Sequence, residues 1–378
     1  MTIYQGKVIR KREETLSAGM IEDDWQFFMR RVHMNEKNIV MTDPDKSPAS
    51  SKLLEINGLR TWFYTDEGIV RAVDGVTLSI DEQETFGLVG ESGCGKSVTA
   101  FSVLKLIPMP PARIEKGEVL FRGRNLVSFD EAEMRKIRGN RIGMIFQEPM
   151  TALNPVMKVG DQIVESLRVH KDISKKEAYN QGVELLKKVG IALPEKRFYN
   201  FPFELSGGMK QRVMIASALA CGPELLIADE PTTALDVTIQ AQIIDLLAQL
   251  QSEMRMSVLL ITHNLGLVAE NAKKIAVMYA GRIVEKGFAR DIISEPKHPY
   301  TQGLLQAVPD IFRNENRLFT IPGSVPSLIN HPKACRFAPR CPFKMDVCLQ
   351  QDPGSVELEG NREVSCFLYG NVTLKENQ

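Results

Sequence analysis

The 378-residue chain has no run of eighteen or more apolar residues, so no segment is expected to cross a bilayer as a helix. Its first residues, MTIYQGKVIRKREE, lack the apolar stretch of a secretory signal, which points to a cytosolic protein. Neither charge is in excess. Lys+Arg and Asp+Glu number 47 each, a balance that argues against a nucleic-acid partner or an anionic lipid surface. A C-x-x-C pair is also missing, which counts against a zinc ribbon although six cysteines are present. In a cytosolic chain those cysteines are expected to be reduced, catalytic or metal-binding rather than paired in disulfides. What remains is an ordinary globular composition, 43% hydrophobic and 25% charged, over a length that suits two or three domains.

Residues 1–50 differ in character from the rest of the chain. Charged clusters with little hydrophobic periodicity lead into TDPDKSPASS, so this stretch reads as a flexible extension. Met34 and Met41 are alternative starts within it, and residues 21–33 are compatible with a short helix. From Leu53 the pattern turns strand-like (LLEINGLRTWFY, VRAVDGVTLSI, TFGLVG), predicting a small antiparallel layer ahead of an α/β core. Helical periodicity takes over between Val159 and Phe198, so a helical insert is expected over about 157–221. LLIADE and SVLLITH, with a long helical stretch between them, restore the alternation of a parallel sheet. After Pro296 the chain becomes proline-rich and gains four cysteines, which places a domain boundary there: 51–296 before it and 297–378 after.

GESGCGKS, residues 90–97, fits G-x-x-x-x-G-K-[ST] between a predicted strand and a predicted helix. Glycines at Gly90, Gly93 and Gly95 let backbone N–H groups, with those of Ser92, Cys94 and Val98, curl around phosphate oxygens. Lys96 then brings a point charge to the β- and γ-phosphates and Ser97 a hydroxyl to Mg²⁺. LLIADE is an apolar strand ending in two carboxylates, 132 residues beyond Ser97. An acidic strand end alone is more often a solvated edge. In this α/β order, Asp229 is placed to hold Mg²⁺ through water and Glu230 to polarise an attacking water.

Those two motifs define only a P-loop NTPase. LSGGMKQR, residues 205–212, narrows it, because this stretch resembles the signature of the ATP-binding cassette (ABC) family. Ser206 with Gly207 and Gly208 would form an anion site at a helix N-terminus, where a simple Ser cap would not need two glycines. In the family this site serves the γ-phosphate of ATP bound to the opposite subunit. The resemblance further implies that Gln147 in FQEP is the Q-loop glutamine on Mg²⁺ and that residues 233–236 (TALD) form the D-loop. His263 in ITHNLG would be the switch histidine on the γ-phosphate, where a lone strand-end His is otherwise more often a core residue. It also implies an adenine-stacking aromatic about 25 residues before the P-loop: Phe63, with Tyr64 as the alternate. The chain departs from the usual pattern at Met209, where Gln is common, and at Cys94, which reads as a tolerated small apolar residue.

KHPYTQGLLQAVP and IPGSVPSL resemble the C-terminal extension of the dipeptide/oligopeptide importer branch, so the likeness runs from about residue 53 to about 369. Cys335, Cys341, Cys348 and Cys366 lie in this core-poor tail, separated by five, six and seventeen residues. Such a segment buries too little apolar surface to stand alone, and four thiols there suggest a metal cross-link. Cys341 followed by Pro342 is similar to iron–sulfur ligation, although the spacing is that of neither ferredoxin pattern. The branch resemblance implies a [4Fe–4S] cluster in some members, with Zn²⁺ as the alternative and four reduced buried thiols as the third reading. The fold expected is thus a RecA-like α/β core with an antiparallel β-subdomain, a helical insert and a small metal-stapled C-terminal domain. The resemblance also implies ATP and Mg²⁺ at a two-cassette interface, a second identical or homologous ATPase subunit, two permease subunits and an extracytoplasmic binding protein. The site would lie on the cytoplasmic face of the membrane. Nickel, glutathione and oligosaccharide importers share this subunit type, and a non-transport ABC ATPase acting on nucleic acid or ribosomes is the competing class. Because the cysteines lie in a segment separate from the phosphate motifs, a cluster there is expected to be structural or partner-positioning, and ATP hydrolysis by the core to survive the loss of the cluster.

Overall fold

Two sheets organise the computed structural model, which describes residues 51–233, 235–307 and 320–370. The expectations for residues 1–50, for Ala234, for 308–319 and for 371–378 lie outside the described residues. The first sheet is antiparallel, in the order β2-β1-β4-β5: β1 (Lys52–Thr65), β2 (Gly68–Asp81), β4 (Ala112–Phe121) and β5 (Arg124–Asn125). Leu54, Ile56, Val73, Val76, Leu78 and Ile80 are buried from its long hairpin, whose tight reversal between Thr65 and Gly68 uses Gly68 at φ +134°. Only glycine tolerates that angle without strain.

The second sheet has eight strands in the order β11-β12-β10-β9-β3-β8-β7-β6. Its parallel part comprises β3 (Thr85–Val89), β6 (Ile142–Ile145), β7 (Leu225–Asp229), β8 (Ser257–Thr262) and β9 (Lys274–Tyr279). Every residue of β6, β7 and β8 is buried, as expected of parallel strands covered on both faces. Between β6 and β7 the chain leaves the sheet for the helices Val159–His170, Lys175–Lys188 and Gly207–Leu219, so the predicted helical insert is present. Ser174 and Glu177 form a capping box at the second of these. Phe198 fills the space beside Gly160 and Gly182, where a Cβ would come within 2.2 Å and 2.9 Å of its ring.

The tail is not a separate lobe. β10 (Arg282–Phe288) runs antiparallel to β9, and β12 (Arg362–Val364) and β11 (Val356–Leu358) continue the same sheet from its edge. A bridge between Val70 and Ile329, with Arg71 N–H donating to the Leu328 carbonyl at 3.2 Å, ties the tail to β2 as well.

His298 sits at the start of the helix Pro299–Gln306, where its Nδ1 accepts from the Tyr300 N–H at 3.0 Å. It is 2% exposed, and burial pushes its pKa down to about 3. A depressed folded-state value means that the unfolded chain binds the proton more readily. His298 therefore contributes stability above pH 6.5 that is lost as the pH falls toward 3. We expect wild-type protein to lose up to about 1.4 kcal/mol per pH unit more than His298→Asn across that window, because Asn keeps the cap without titrating. Urea unfolding of both proteins at pH 7, 6, 5 and 4 checks it, and parallel stability curves would refute it.

Candidate functional site

The chemistry-bearing residues lie at the C-terminal ends of four neighbouring parallel strands. The P-loop follows β3, Gln147 follows β6, Asp229 and Glu230 end β7, and His263 follows β8. In open α/β sheets this edge is where ligands bind, because loops diverge there and helix N-termini face the opening.

The P-loop is wedged between β2 and the end of β9. A Cβ on Gly90 would lie 2.1 Å from the Met278 carbonyl oxygen, and one on Gly95, at φ +105°, 2.2 Å from that of Ala72. Cys94 is buried in the same wedge, and burial raises its thiol pKa, which keeps it a neutral packing group. Ser92 and Gly93 remain exposed at the tip, and Val98 is half-buried in the helix Lys96–Val103. The Lys96 ammonium donates to the carbonyls of Gly90 (2.8 Å) and Glu91 (3.0 Å) and lies 3.9 Å from Glu230 Oε1. Ser97 Oγ donates to Asp229 Oδ1 at 3.1 Å.

Glu230 is the hub. Its Oε2 accepts from Gln147 Nε2 at 3.2 Å and Thr233 Oγ1 at 3.0 Å, and stands 3.4 Å from His263 Nδ1. Its backbone adopts φ +46°, a left-handed conformation that a non-glycine residue holds only where its surroundings enforce it. The Glu230 N–H, donated to the Ile261 carbonyl at 2.8 Å, is one such restraint. Asp229 is 1% exposed; burial raises its carboxyl pKa and the nearby Glu230 charge adds to this, while the Ser97 hydrogen bond opposes it. A divalent cation at this position would reverse the balance. His263 is exposed rather than packed in the core, which leaves its ring free to meet a ligand.

Ser206 caps the helix Gly207–Leu219, its Oγ accepting from the Met209 N–H at 3.3 Å, and it is exposed together with Gly207. A Cβ on Gly208 would press on Ile239 at 3.2 Å, so a larger residue there would require that side chain to give way. Gln211, not singled out from sequence, binds this helix to the segment after Glu230 through a 2.6 Å bond to the Pro231 carbonyl. Phe63 is half-buried in β1 opposite Val70 and Ala112. The alternate, Tyr64, is already engaged: its hydroxyl donates to Glu115 at 2.7 Å and Arg113 lies over its ring.

The four tail cysteines gather without forming a ready cage. Burial pushes the Cys335 thiol up to about 11 and that of Cys366 up to about 12, and each also feels the charge of other cysteines of the set. Cys335 N–H donates to the Cys348 carbonyl at 2.9 Å, and Cys335 packs beside Cys348 in a small apolar cluster. Among the described residues, however, no three Cys, His, Asp or Glu side chains stand in metal-holding geometry, so the expected metal staple is not supported by the arrangement of the side chains. The donor chemistry fits a thiolate-loving metal; the spacing of the side chains does not yet embrace one.

The segment that carries these cysteines, read from sequence as separate from the phosphate motifs, touches the P-loop. Arg340, directly before Cys341, grips Glu91 of the P-loop through Nη1–Oε2 at 2.7 Å and Nη2–Oε1 at 3.0 Å. Neither residue is demanded by the motif pattern, and their contact spans 249 positions, so local sequence reading had no signal for it.

Comparison with known proteins agrees with this architecture. A family model described as ABC transporter matches residues 73–233, and one described as oligopeptide/dipeptide transporter, C-terminal region, matches residues 284–348. The oligopeptide transport ATP-binding protein OppD of Bacillus subtilis (strain 168) is 51% identical over 319 residues, 84% of this chain and 89% of OppD. AppD, an oligopeptide transport ATP-binding protein of the same organism, is 50% identical over 319 residues, 84% of this chain and 97% of AppD. Among solved structures, the dimeric post-hydrolysis state of the ATP-binding cassette MJ0796 bound to ADP and Pi superposes with a TM-score of 0.56 at 29% identity, covering 63% of this chain and 99% of that one. The chain therefore belongs to the ATP-binding proteins of the oligopeptide/dipeptide ABC transporters, and its enzymatic role is that of a transport-coupled ATPase.

Proposed function

We propose that this cassette pairs face to face with a second ATPase subunit, identical or homologous, enclosing two ATP molecules and driving di- or oligopeptide uptake through two permease subunits. The observation that carries the reading is the convergence of Lys96, Gln147, Thr233 and His263 on the Glu230 carboxylate, beside the Ser97–Asp229 pair. Residues 51–296 serve as the nucleotide-binding domain, with its helical subdomain over about 157–221, and 297–378 as the extension. Gly90, Ser92, Gly93, Cys94, Gly95 and Val98 wrap the phosphates with backbone N–H groups while Lys96 neutralises them. Ser97, Gln147 and Asp229 hold Mg²⁺, Phe63 stacks on adenine, and Glu230 accepts a proton from the attacking water while His263 steadies the γ-phosphate.

Ser206, Gly207 and Gly208 complete the site of the opposite subunit. The exposure of Ser206 and Gly207 leaves them free to do so, and the MJ0796 cassette was solved as a dimer. Among the described residues no helix is long and apolar enough to cross a membrane, which suits a subunit attached peripherally to a permease on its cytoplasmic face. An extracytoplasmic binding protein would deliver the peptide.

Complementation tests the pairing. Lys96→Ala and Ser206→Arg proteins each build no intact composite site alone, whereas a mixed dimer contains one site with both groups intact. Mixing the two inactive proteins is expected to restore ATP hydrolysis; a mixture as inactive as its components would rule out the sandwich.

Cys335, Cys341, Cys348 and Cys366 are further proposed to hold a [4Fe–4S] cluster, with Zn²⁺ as the alternative. Bound there, the metal would supply a cross-link for a segment with little apolar core of its own. Anaerobically purified protein should be brown and contain iron and acid-labile sulfide. Zinc would leave it colourless, and metal-free protein with all four thiols titratable would overturn both.

A further inference from the structure

Glu91 occupies a position of the phosphate loop that its motif leaves free, yet three of its polar groups are engaged. Its carbonyl accepts from Lys96 Nζ at 3.0 Å, its N–H donates to the Tyr300 hydroxyl at 2.9 Å, and its carboxylate takes the two-pronged Arg340 contact. Two of these three restraints come from the C-terminal segment. A surface ion pair would be worth little, but the Arg340 side chain is only 5% exposed and meets the carboxylate with both nitrogens, the geometry in which such pairs are strongest.

Arg340 is itself fixed. Its Nε donates to the Pro322 carbonyl at 2.9 Å and its Nη2 to that of Ile321 at 3.1 Å. Tyr300 is fully buried and packs against Tyr279 and Phe337, with ring centroids 4.6 Å and 5.5 Å away. A second arginine, Arg336, bonds Asp74 Oδ2 at 2.6 Å and the Ala280 carbonyl, so the stretch between Cys335 and Cys341 is pinned to the core near both of its ends.

We infer that Arg340 and Tyr300 are positioning residues for the phosphate loop: by holding Glu91 they set the carbonyl on which Lys96 rests and neutralise a carboxylate beside the phosphate site. This rests on the reading of residues 90–97 as the ATP phosphate site. An uncompensated carboxylate in the second position of the loop would repel the phosphates, and fixed loop geometry spares the cost of ordering it on binding.

The test uses the full chain, a fluorescent ATP analogue for Kd, and steady-state hydrolysis with the permease complex for KM and kcat. Arg340→Ala is expected to raise Kd and KM by about tenfold while changing kcat far less, since a loop held ready for phosphate acts on binding. Tyr300→Phe removes only the hydroxyl and should raise Kd in the same direction by a smaller factor. Arg340→Ala combined with Glu91→Gln should bind better than Arg340→Ala alone, because the stranded charge is gone; a purely structural Arg340 would show no such rescue. If Arg340→Ala does not fold, Arg340→Lys carries the test, since it keeps the charge without the fork and should still raise Kd. Lys96→Ala separates the two readings. Wild-type affinity in Lys96→Ala sinks the phosphate-site reading itself, whereas lost affinity there with unchanged Kd in the Arg340 and Tyr300 variants overturns the positioning role alone.

Discussion

Glu230→Gln is expected to bind ATP as tightly as the wild type and to hydrolyse it roughly 10²- to 10⁴-fold more slowly, the range that a positioned general base contributes. The amide keeps the shape of the carboxylate, so its oxygen can still accept from Thr233 Oγ1 and Gln147 Nε2, now 3.0 Å and 3.2 Å from Oε2. It also imposes nothing new on the backbone, which holds φ +46° with either side chain. What disappears is the ability to take a proton from water. Removing the charge relieves Asp229 of one of the influences that raise its pKa, which favours the ionised carboxylate that a divalent cation needs. ATP affinity should therefore hold or improve while single-turnover hydrolysis collapses, and the closed dimer should accumulate. Wild-type turnover in this variant would remove Glu230 from the reaction. Lys96→Ala should do the opposite and fail at binding, because it removes the buried ammonium proposed to face the phosphates.

The parts of this site that could be read from sequence are those fixed by short backbone segments. A glycine loop between a strand and a helix, and two acids at a strand end, each carry their geometry with them. The parallel sheet then brings Ser97 to Asp229 across 132 positions. The parts that could not be read depend on tertiary closure. VEL in β11 and REV in β12 are three residues each and look like loop; β12 becomes a strand because β10 offers it an edge, and β11 because β12 then offers the next. Alternation cannot assign the face of Phe63, because the pairing of β1 with β2 slips between Thr61 and Phe63. Arg340 has no periodic or motif context at all; its role depends on where the tail folds back. Ser206 is a third kind of case: its cap is visible within one chain, but the role proposed for it on the nucleotide of a second subunit is not.

Arg362→Ala is expected to destabilise the fold by about 3–5 kcal/mol, the cost of leaving one half of a buried ion pair behind. Glu285 is fully buried in β10, and Arg362, 5% exposed, reaches its Oε1 through Nε at 3.1 Å and through Nη2. The same carboxylate also accepts the N–H groups of Lys297 (2.9 Å) and His298 (3.0 Å), so it fastens the turn that leads into the helix Pro299–Gln306. Arg362 adds a bond to the Asp291 carbonyl at 3.2 Å and one to that of Glu295. One guanidinium thus joins β12, β10 and the segment between them, beside the short β10–β12 ladder of Glu285 with Val364 and Lys286 with Glu363. Against a total stability of about 5–15 kcal/mol, losing it should lower the urea midpoint markedly. The double variant Arg362→Ala with Glu285→Gln separates charge from packing. If the stranded carboxylate is the main cost, the neutral amide recovers part of the loss, since its single oxygen still accepts from one of the Lys297 and His298 N–H groups, which the carboxylate meets with Oε1 and Oε2 respectively. An Arg362→Ala protein that unfolds within about 0.5 kcal/mol of the wild type, the range of ordinary surface substitutions, would mean that the pair does not hold the C-terminal strands in place.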